Sequence, residues 1–243
     1  MRKFKYLAVI FLFYAELFSN ELTLATGLSI PPYVIKETHS GIELDIVKEV
    51  LKLRGYNIDT ILYVTNKRIH KLLLEKSIDF ALNVPPNIKN IYYSNVIIEF
   101  KNVAIALNKN HFKINTLNDL VGKRVIAFQN ANKFLGKEFH YFSLENKNYN
   151  ELINQVAQVE HLYKSRADVV ISDKYIFLYY KNKNIKRYDK TLKLDFFDIL
   201  PSSPRRAVFL SEEIRNEFNK GLVELKKNGG YLQLMQKYNF KDE

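Results

Sequence analysis

The sequence contains no cysteine, which excludes disulfide staples, thiol catalysis, cysteine-ligated metals and a thioether-linked lipid. Tryptophan is absent as well, and there are only two methionines and eight glycines. No uninterrupted apolar run reaches the roughly twenty residues that a membrane-crossing helix needs. Catalytic signatures are missing too. The five histidines, His39, His70, His111, His140 and His161, are scattered, with no His-Glu-x-x-His helix and no metal-ligand spacing. Neither a phosphate-cradling P-loop nor a Gly-x-Ser-x-Gly elbow appears. No metal and no cofactor is therefore expected. What is there is an ordinary globular composition, 47% hydrophobic and 26% charged over 243 residues, enough for one large core or two smaller ones.

The first residues stand apart. Met1-Arg2-Lys3-Phe4-Lys5 is basic, Tyr6 to Tyr14 is apolar, and Glu16 breaks the run before Ser19. This is a basic-then-apolar pattern too short to span a bilayer, so residues 1–19 are expected to be a secretory signal peptide. No Ala-x-Ala triplet marks the cut, and Ser19 before Asn20 is the best junction. A buried first strand of a cytosolic protein is the alternative. With export and no lipidated cysteine, the expected location is the periplasm, as a soluble monomer rather than a lipoprotein.

The formal charge is +11, and removing residues 1–19, with three bases and one acid, leaves +9. Such a balance favours acidic partners in general. The densest basic run, Lys181 to Lys193, interleaves Tyr188 with Lys183, Lys186, Arg187 and Lys190, an arrangement also found at nucleic-acid sites. Because Asn, Lys, Ile, Tyr and Phe are abundant throughout, a solvated loop explains the run more simply, and no nucleic-acid partner is expected.

The organising stretch runs from Lys164 to Tyr180. Val169 to Ile171 is a short apolar run, expected to be a buried strand ending at Ser172 and Asp173, with a helix following at once. Asp173 thus falls at a strand's carboxyl end, where open α/β sheets place ligand contacts, and at a helix's amino end, where free N–H groups need an acceptor. An echo lies 89 positions upstream, where Ser77-Ile78-Asp79-Phe80-Ala81-Leu82-Asn83 parallels the segment around Asp168. Two such units suggest two similar lobes.

Taken in order, Glu21 to Thr26 is expected to be a strand, Glu43 to Arg54 a helix stopped by Gly55, Ile58 to Val64 a strand, Lys67 to Lys76 a helix and Asp79 to Asn83 a strand. This β-α-β-α-β order belongs to a parallel sheet with covering helices. Tyr92 to Leu107 is expected as a long extended segment leaving one sheet for another. A second unit follows. It comprises a short helix over Thr116 to Leu120, strand Arg124 to Phe128, helix Ala131 to Lys137, strand Phe139 to Phe142 and helix Glu151 to Tyr163. Leu194 to Leu200 is expected to return to the first lobe, Ala207 to Leu210 to be a strand, and Ser211 to cap a last long helix that Gly229-Gly230 divides from a final short one.

Several pieces occur together in a characteristic order: Pro31-Pro32-Tyr33; Gly41-Ile42-Glu43-Leu44-Asp45-Ile46; Lys67-Arg68; Tyr93-Ser94; Leu117-Asn118-Asp119-Leu120-Val121-Gly122-Lys123-Arg124-Val125; Ala167-Asp168-Val169-Val170-Ile171-Ser172-Asp173; and Gly229-Gly230-Tyr231 through Lys237-Tyr238. Through them the chain resembles the family 3 extracellular solute-binding proteins, the periplasmic components of polar amino acid ABC transporters. The resemblance implies an α/β, type II periplasmic binding protein fold, with each lobe a mostly parallel sheet flanked by helices. Residues 20–104 with 201–243 would form one lobe and 105–200 the other, joined by two crossing strands. It also implies a small polar, amino acid-like ligand held between the lobes, and an inner-membrane permease as partner. Enzymes on this fold, such as cyclohexadienyl dehydratases, and transporter-independent sensors remain the alternatives.

In the family an arginine in a Thr-Pro-Glu-Arg-like motif clamps the ligand carboxylate. This sequence has Asn87 at that place, and amides in Gln129-Asn130-Ala131-Asn132 where the family has a Gly-Thr-Thr-like loop. By the same resemblance Asp173 is the carboxylate that receives a ligand ammonium; read from the residues alone it is a helix cap. Tyr33 either stacks on a ligand or covers a core edge. Arg68, or the Arg205-Arg206 pair, either supplies the missing anion contact or is a surface base. Asn83, Asn87, Gln129 and Asn130 form a set of polar strand-end and loop residues beside the expected cleft. The missing arginine motif suggests that the ligand is not a plain α-amino acid held in the usual way, with Asp173 pointing to a cationic or hydroxyl-rich one.

Overall fold

A computed structural model describes residues 20–85 and 88–240; the expected signal peptide and Asn87 lie outside the described residues. Strand β1 (Glu21–Thr26) leads through a loop into helix α1 (Ile42–Leu53), then β2 (Asn57–Tyr63), α2 (Asn66–Leu74) and β3 (Phe80–Ala81). After β4 (Tyr92–Tyr93) come two short extended pieces, β5 (Ile98–Phe100) and β6 (Asn102–Leu107). The second unit holds β7 (Val125–Phe128), α3 (Ala131–Phe134), α4 (Gly136–Glu145), β8 (Tyr149–Leu152), α5 (Gln155–Tyr163), β9 (Val169–Asp173) and α6 (Lys174–Lys183). The chain closes with β10 (Leu194–Phe197), β11 (Ser203–Arg205), β12 (Val208–Phe209), α7 (Glu212–Lys227) and α8 (Gly230–Lys237).

Two five-stranded sheets result, in the orders β2-β1-β3-β12-β4 and β10-β6-β9-β7-β8, with β5 and β11 forming a separate two-stranded ribbon between them. Each sheet is mixed. In the first, β1 runs parallel to β2 and β3 while β12 is antiparallel to β3 and β4. In the second, β7 runs parallel to β8 and β9 while β6 is antiparallel to β9 and β10. The antiparallel halves come from chain that crosses over by way of the β5/β11 ribbon and from β10, so β-α-β order alone does not announce them.

The 89-residue echo has a physical basis. In the first sheet the Asp79 carboxylate accepts the Thr23 N–H at 2.7 Å, and the Asp79 N–H in turn donates to the Thr23 carbonyl. In the second sheet the Asp168 carboxylate accepts the Arg124 N–H at 2.8 Å and the Asp168 N–H donates to the Arg124 carbonyl. One device, an aspartate just before a strand, thus ties that strand to the start of its parallel neighbour in both lobes.

Burial explains the strand compositions. In the second sheet Ala104, Ala106, Val125, Ala127, Val169 and Ile171 pack on one face, while Val103, Ile105, Leu107, Ile126 and Val170 pack on the other. A sheet covered on both faces needs apolar residues at every position, hence the unbroken runs. In the first sheet Leu22, Leu24, Phe80 and Phe209 face α1 and α7, and Ala25, Ala81 and Val208 face α2. Gly41 opens α1 at φ +122°, where a Cβ would sit 2.4 Å from the Tyr33 carbonyl oxygen, so a side chain is excluded there.

Four local expectations are corrected. Phe139 to Phe142 lies inside α4, because Phe139 and Phe142, three apart, share the buried face of a helix. Glu151 belongs to β8; α5 starts only after Asn154, whose side chain accepts the Val156 and Ala157 N–H groups as a cap. Leu194 to Phe197 does not return to the first lobe but pairs antiparallel with β6 at the edge of the second sheet. The expected single extended segment over Tyr92 to Leu107 is three short strands in three different sheets.

Candidate functional site

The carboxyl ends of β3, β7 and β9 carry Asn83, Gln129 with Asn130, and Asp173, and the β5/β11 ribbon adjoins them. Beside that ribbon lies a cleft of about 520 Å³ walled by both lobes. Val84 and Tyr93 come from the first lobe, Lys133, Phe134 and Gly136 from the second, and Arg205 and Arg206 from the crossing segment that begins at Pro201. Phe134 is 69% exposed, an unusual position for a large aromatic unless something covers it.

Asn83 sits at this junction. It adopts a left-handed backbone, φ +61°, its amide donates to Asn66 Oδ1 at 2.9 Å, and its own Oδ1 accepts from Arg205 Nη1 at 2.8 Å. Gly27, at the end of β1, leaves room for that amide: a Cβ there would stand 3.0 Å from Asn83 Nδ2. Arg205 then packs its guanidinium over the Phe100 ring at 4.6 Å and meets the fully buried Glu43 with Nε to Oε1 at 3.4 Å. Arg205 Nη2 donates to Glu43 Oε2 at 3.5 Å, while Glu43 Oε1 and Arg205 Nε lack a well-aligned hydrogen bond, so the fork is a long one and charge holds much of the pair. Arg205, which the sequence offers as one replacement for the missing arginine, therefore reaches the cleft already engaged. Glu43 was not singled out; its place among apolar residues at the start of α1 gives no sign in sequence of a buried charge.

Across the cleft, Gln129 is exposed and Asn130 opens α3 in a left-handed conformation, φ +62°. The N–H groups of Asn130 and Asn132 both point at the Glu151 carboxylate, at 2.6 and 3.1 Å, and the Tyr149 hydroxyl donates to it at 2.7 Å. That hydrogen bond, together with burial, pushes the Tyr149 phenol well above its ordinary range, burial being the larger cause. Backbone donors at a loop-to-helix junction are a natural anion receptor, and here a side chain of the same lobe fills it. Only the fold shows this, because Glu151 is on β8 and its partners follow β7.

Asp173 and Tyr33 form the other buried contact. Asp173 is 3% exposed and Tyr33 fully buried, and the Tyr33 hydroxyl donates to Asp173 Oδ2 at 2.9 Å. The Lys101 N–H donates to the same oxygen at 2.7 Å, while the Tyr175 and Ile176 N–H groups donate to Oδ1 at 3.0 and 2.9 Å. Loss of hydration nonetheless pushes the Asp173 carboxyl up to about 6, the four donors holding it back, and burial beside this carboxylate raises the Tyr33 phenol. Tyr33 packs its ring on Phe100 and Phe240, and Tyr175 stacks on Phe240 at 3.7 Å. The start of α6 is thus seated in the core of the first lobe. Tyr33 has no open ring face to stack on a ligand, and both Asp173 oxygens are already filled. Arg68 lies on the exposed side of α2, 3.8 Å from Glu75, and no described contact draws it to the cleft.

No family model and no curated protein matches the chain in sequence. Solved structures do. A probable amino-acid ABC transporter extracellular-binding protein, YtmK from Bacillus subtilis, superposes with a TM-score of 0.70 at 20% identity, covering 91% of this chain and 99% of that one. The GluR0 ligand-binding core in complex with L-glutamate gives 0.68 at 17% identity over 90% and 97%. The arginine-, lysine-, histidine-binding protein ArtJ from Geobacillus stearothermophilus gives 0.62 at 16% identity over 92% and 96%. At such identities the likeness speaks to architecture, and the architecture is the two-lobed type II periplasmic binding protein fold that the sequence resemblance implies.

Proposed function

We propose that the protein captures a small polar solute between its two lobes and delivers it to an ABC transporter permease in the inner membrane. One observation carries this reading: the cleft of about 520 Å³, which joins residues of both lobes beside the two crossing strands. A solute that touches both walls favours the closed arrangement by its differential contacts with the two states, which makes binding and closure one equilibrium. Residues 20–104 with 201–243 serve as one lobe and 105–200 as the other, and the β5/β11 ribbon is the hinge. Several similar structures are amino-acid-binding proteins, which supports a solute of that size. Among the described residues no helix is long and apolar enough to cross a membrane; the reading takes the protein as a periplasmic, signal-peptide-exported monomer. The work is binding rather than catalysis.

Lys133, Phe134, Arg205 and Arg206 line this site, and Asn83 reaches it through Arg205; on closure Gln129 and Asn130 join them against the solute. Tyr33 and Asp173 serve the hinge instead. Thermal-shift screening against amino acids, amines, sugars and organic acids tests the reading. At a concentration a hundredfold above Kd, the true solute stabilises by about 2.7 kcal/mol. If no solute in such a panel raises the melting temperature, the protein is not a solute receptor.

A further inference from the structure

We infer that the cleft takes a small organic acid carrying a carboxylate and no ammonium group. This rests on the solute-binding reading and names its ligand class. The walls supply three cations, Lys133, Arg205 and Arg206, and no acidic residue among the described lining. The Lys133 ammonium makes no hydrogen bond or ion pair with described residues. Arg206 spends Nη1 on the Ser94 carbonyl, which leaves further donors of its five-donor fork for a ligand.

An ammonium group, by contrast, has nowhere to go. Three carboxylates near the strand ends are consumed internally: Glu43 by Arg205, Glu151 by the Asn130 and Asn132 N–H groups and Tyr149, and Asp173 by four donors; Glu99, opposite Pro204 on the ribbon, is exposed and stands outside the described lining. A charged amine carried into such a cleft loses water, meets two uncompensated cations, Lys133 and Arg206, and finds no carboxylate in the described lining. The exposed Phe134 ring and the Tyr93 and Pro204 surfaces add an apolar wall for the carbon skeleton of the acid. The formal charge of +9 on the chain from Asn20 onward favours the encounter with an anion as well.

Paired probes that differ only in the amine test this by calorimetry on the chain from Asn20 onward: phenylpyruvate against L-phenylalanine, 2-oxoglutarate against L-glutamate, and cadaverine as a cation. At least one oxo acid is expected to bind about tenfold or more tightly than its amino acid. Lys133→Gln with Arg206→Gln is expected to weaken that acid by about thirtyfold, since each exposed cation contributes on the order of 1 kcal/mol, while Lys133→Gln alone leaves the melting temperature of the free protein in place. Tighter binding of an amino acid or of cadaverine overturns the ligand class and leaves solute binding standing. An oxo acid indifferent to both substitutions also overturns it. If no probe of either class binds, both readings fall.

Discussion

In the first lobe the chain leaving β3 ends in Asn83, whose amide reaches Asn66 and Arg205 at the mouth of the cleft. In the second lobe the corresponding end of β9 is Asp173, enclosed by four donors and cut off from solvent. Both lobes start from the same plan, an aspartate pinning the neighbouring parallel strand, Asp79 on Thr23 and Asp168 on Arg124. The shared plan builds the fold, and in the proposed function the difference at the strand ends separates hinge from receptor. The second lobe spends its carboxylates on its own backbone and on the first lobe's Tyr33, and it leaves Lys133 and Phe134 for the cleft.

The largest effect is expected for Asp173→Ala. It deletes a helix cap, worth about 1 kcal/mol, and leaves the Lys101 N–H and the Tyr33 hydroxyl without their acceptor, at a further cost of about 1–3 kcal/mol. Denaturant unfolding should therefore show a loss of roughly 2–4 kcal/mol, while the affinity for the cleft ligand stays within about twofold. Abolished binding in a folded variant would restore Asp173 as a ligand contact.

A pH titration probes the same carboxyl. Burial raises it from 3.8 to about 6, so between those values the native state holds a proton that the unfolded chain has released. Its contribution is full below pH 4, is lost as pH rises through 6, and amounts to about 3 kcal/mol at most. The difference in stability between wild type and Asp173→Asn should follow that slope. A flat difference would show that the four donors offset burial completely.

The paired anchors give the next comparison. Asp79→Ala and Asp168→Ala each leave one strand N–H unsatisfied, at about 1–2 kcal/mol. The Arg124 ion pair, half exposed at its guanidinium, adds little to the second. Equal losses within about 0.5 kcal/mol would support the equivalence of the two lobes, and a loss confined to one would break it. Smallest of all is Glu151→Gln, which removes a negative charge behind Asn130 and Asn132. It should cost about 1 kcal/mol of stability and tighten an anionic ligand a few-fold, read by calorimetry.

Much of the fold was legible because its signals are local. The caps at Ser211 and Asp173, the apolar runs of β6 and β9 and the Asp79/Asp168 echo all follow from short stretches of sequence. Phe139 to Phe142 misled because aromatic residues favour strands by composition, and only packing shows the helical face. The site was less legible. Asn83 and Asn130 stand out in the sequence by their strand-end positions, whereas the contacts of Glu43, Glu151 and Tyr33 depend on partners 162, 21 and 140 residues away in the chain. No spacing rule reaches that far.

The central claim is that the two lobes close on a solute, and the absence of cysteine gives a direct test. Exposed Lys67 on α2 and Lys137 on α4, each replaced by cysteine, accept a pair of spin labels with no competing thiol. Pulsed electron resonance then reads the distance between the lobes with and without the most stabilising solute of the panel. The distance distribution is predicted to shift to shorter values and narrow as the solute saturates. An unchanged distribution at saturation would contradict the account.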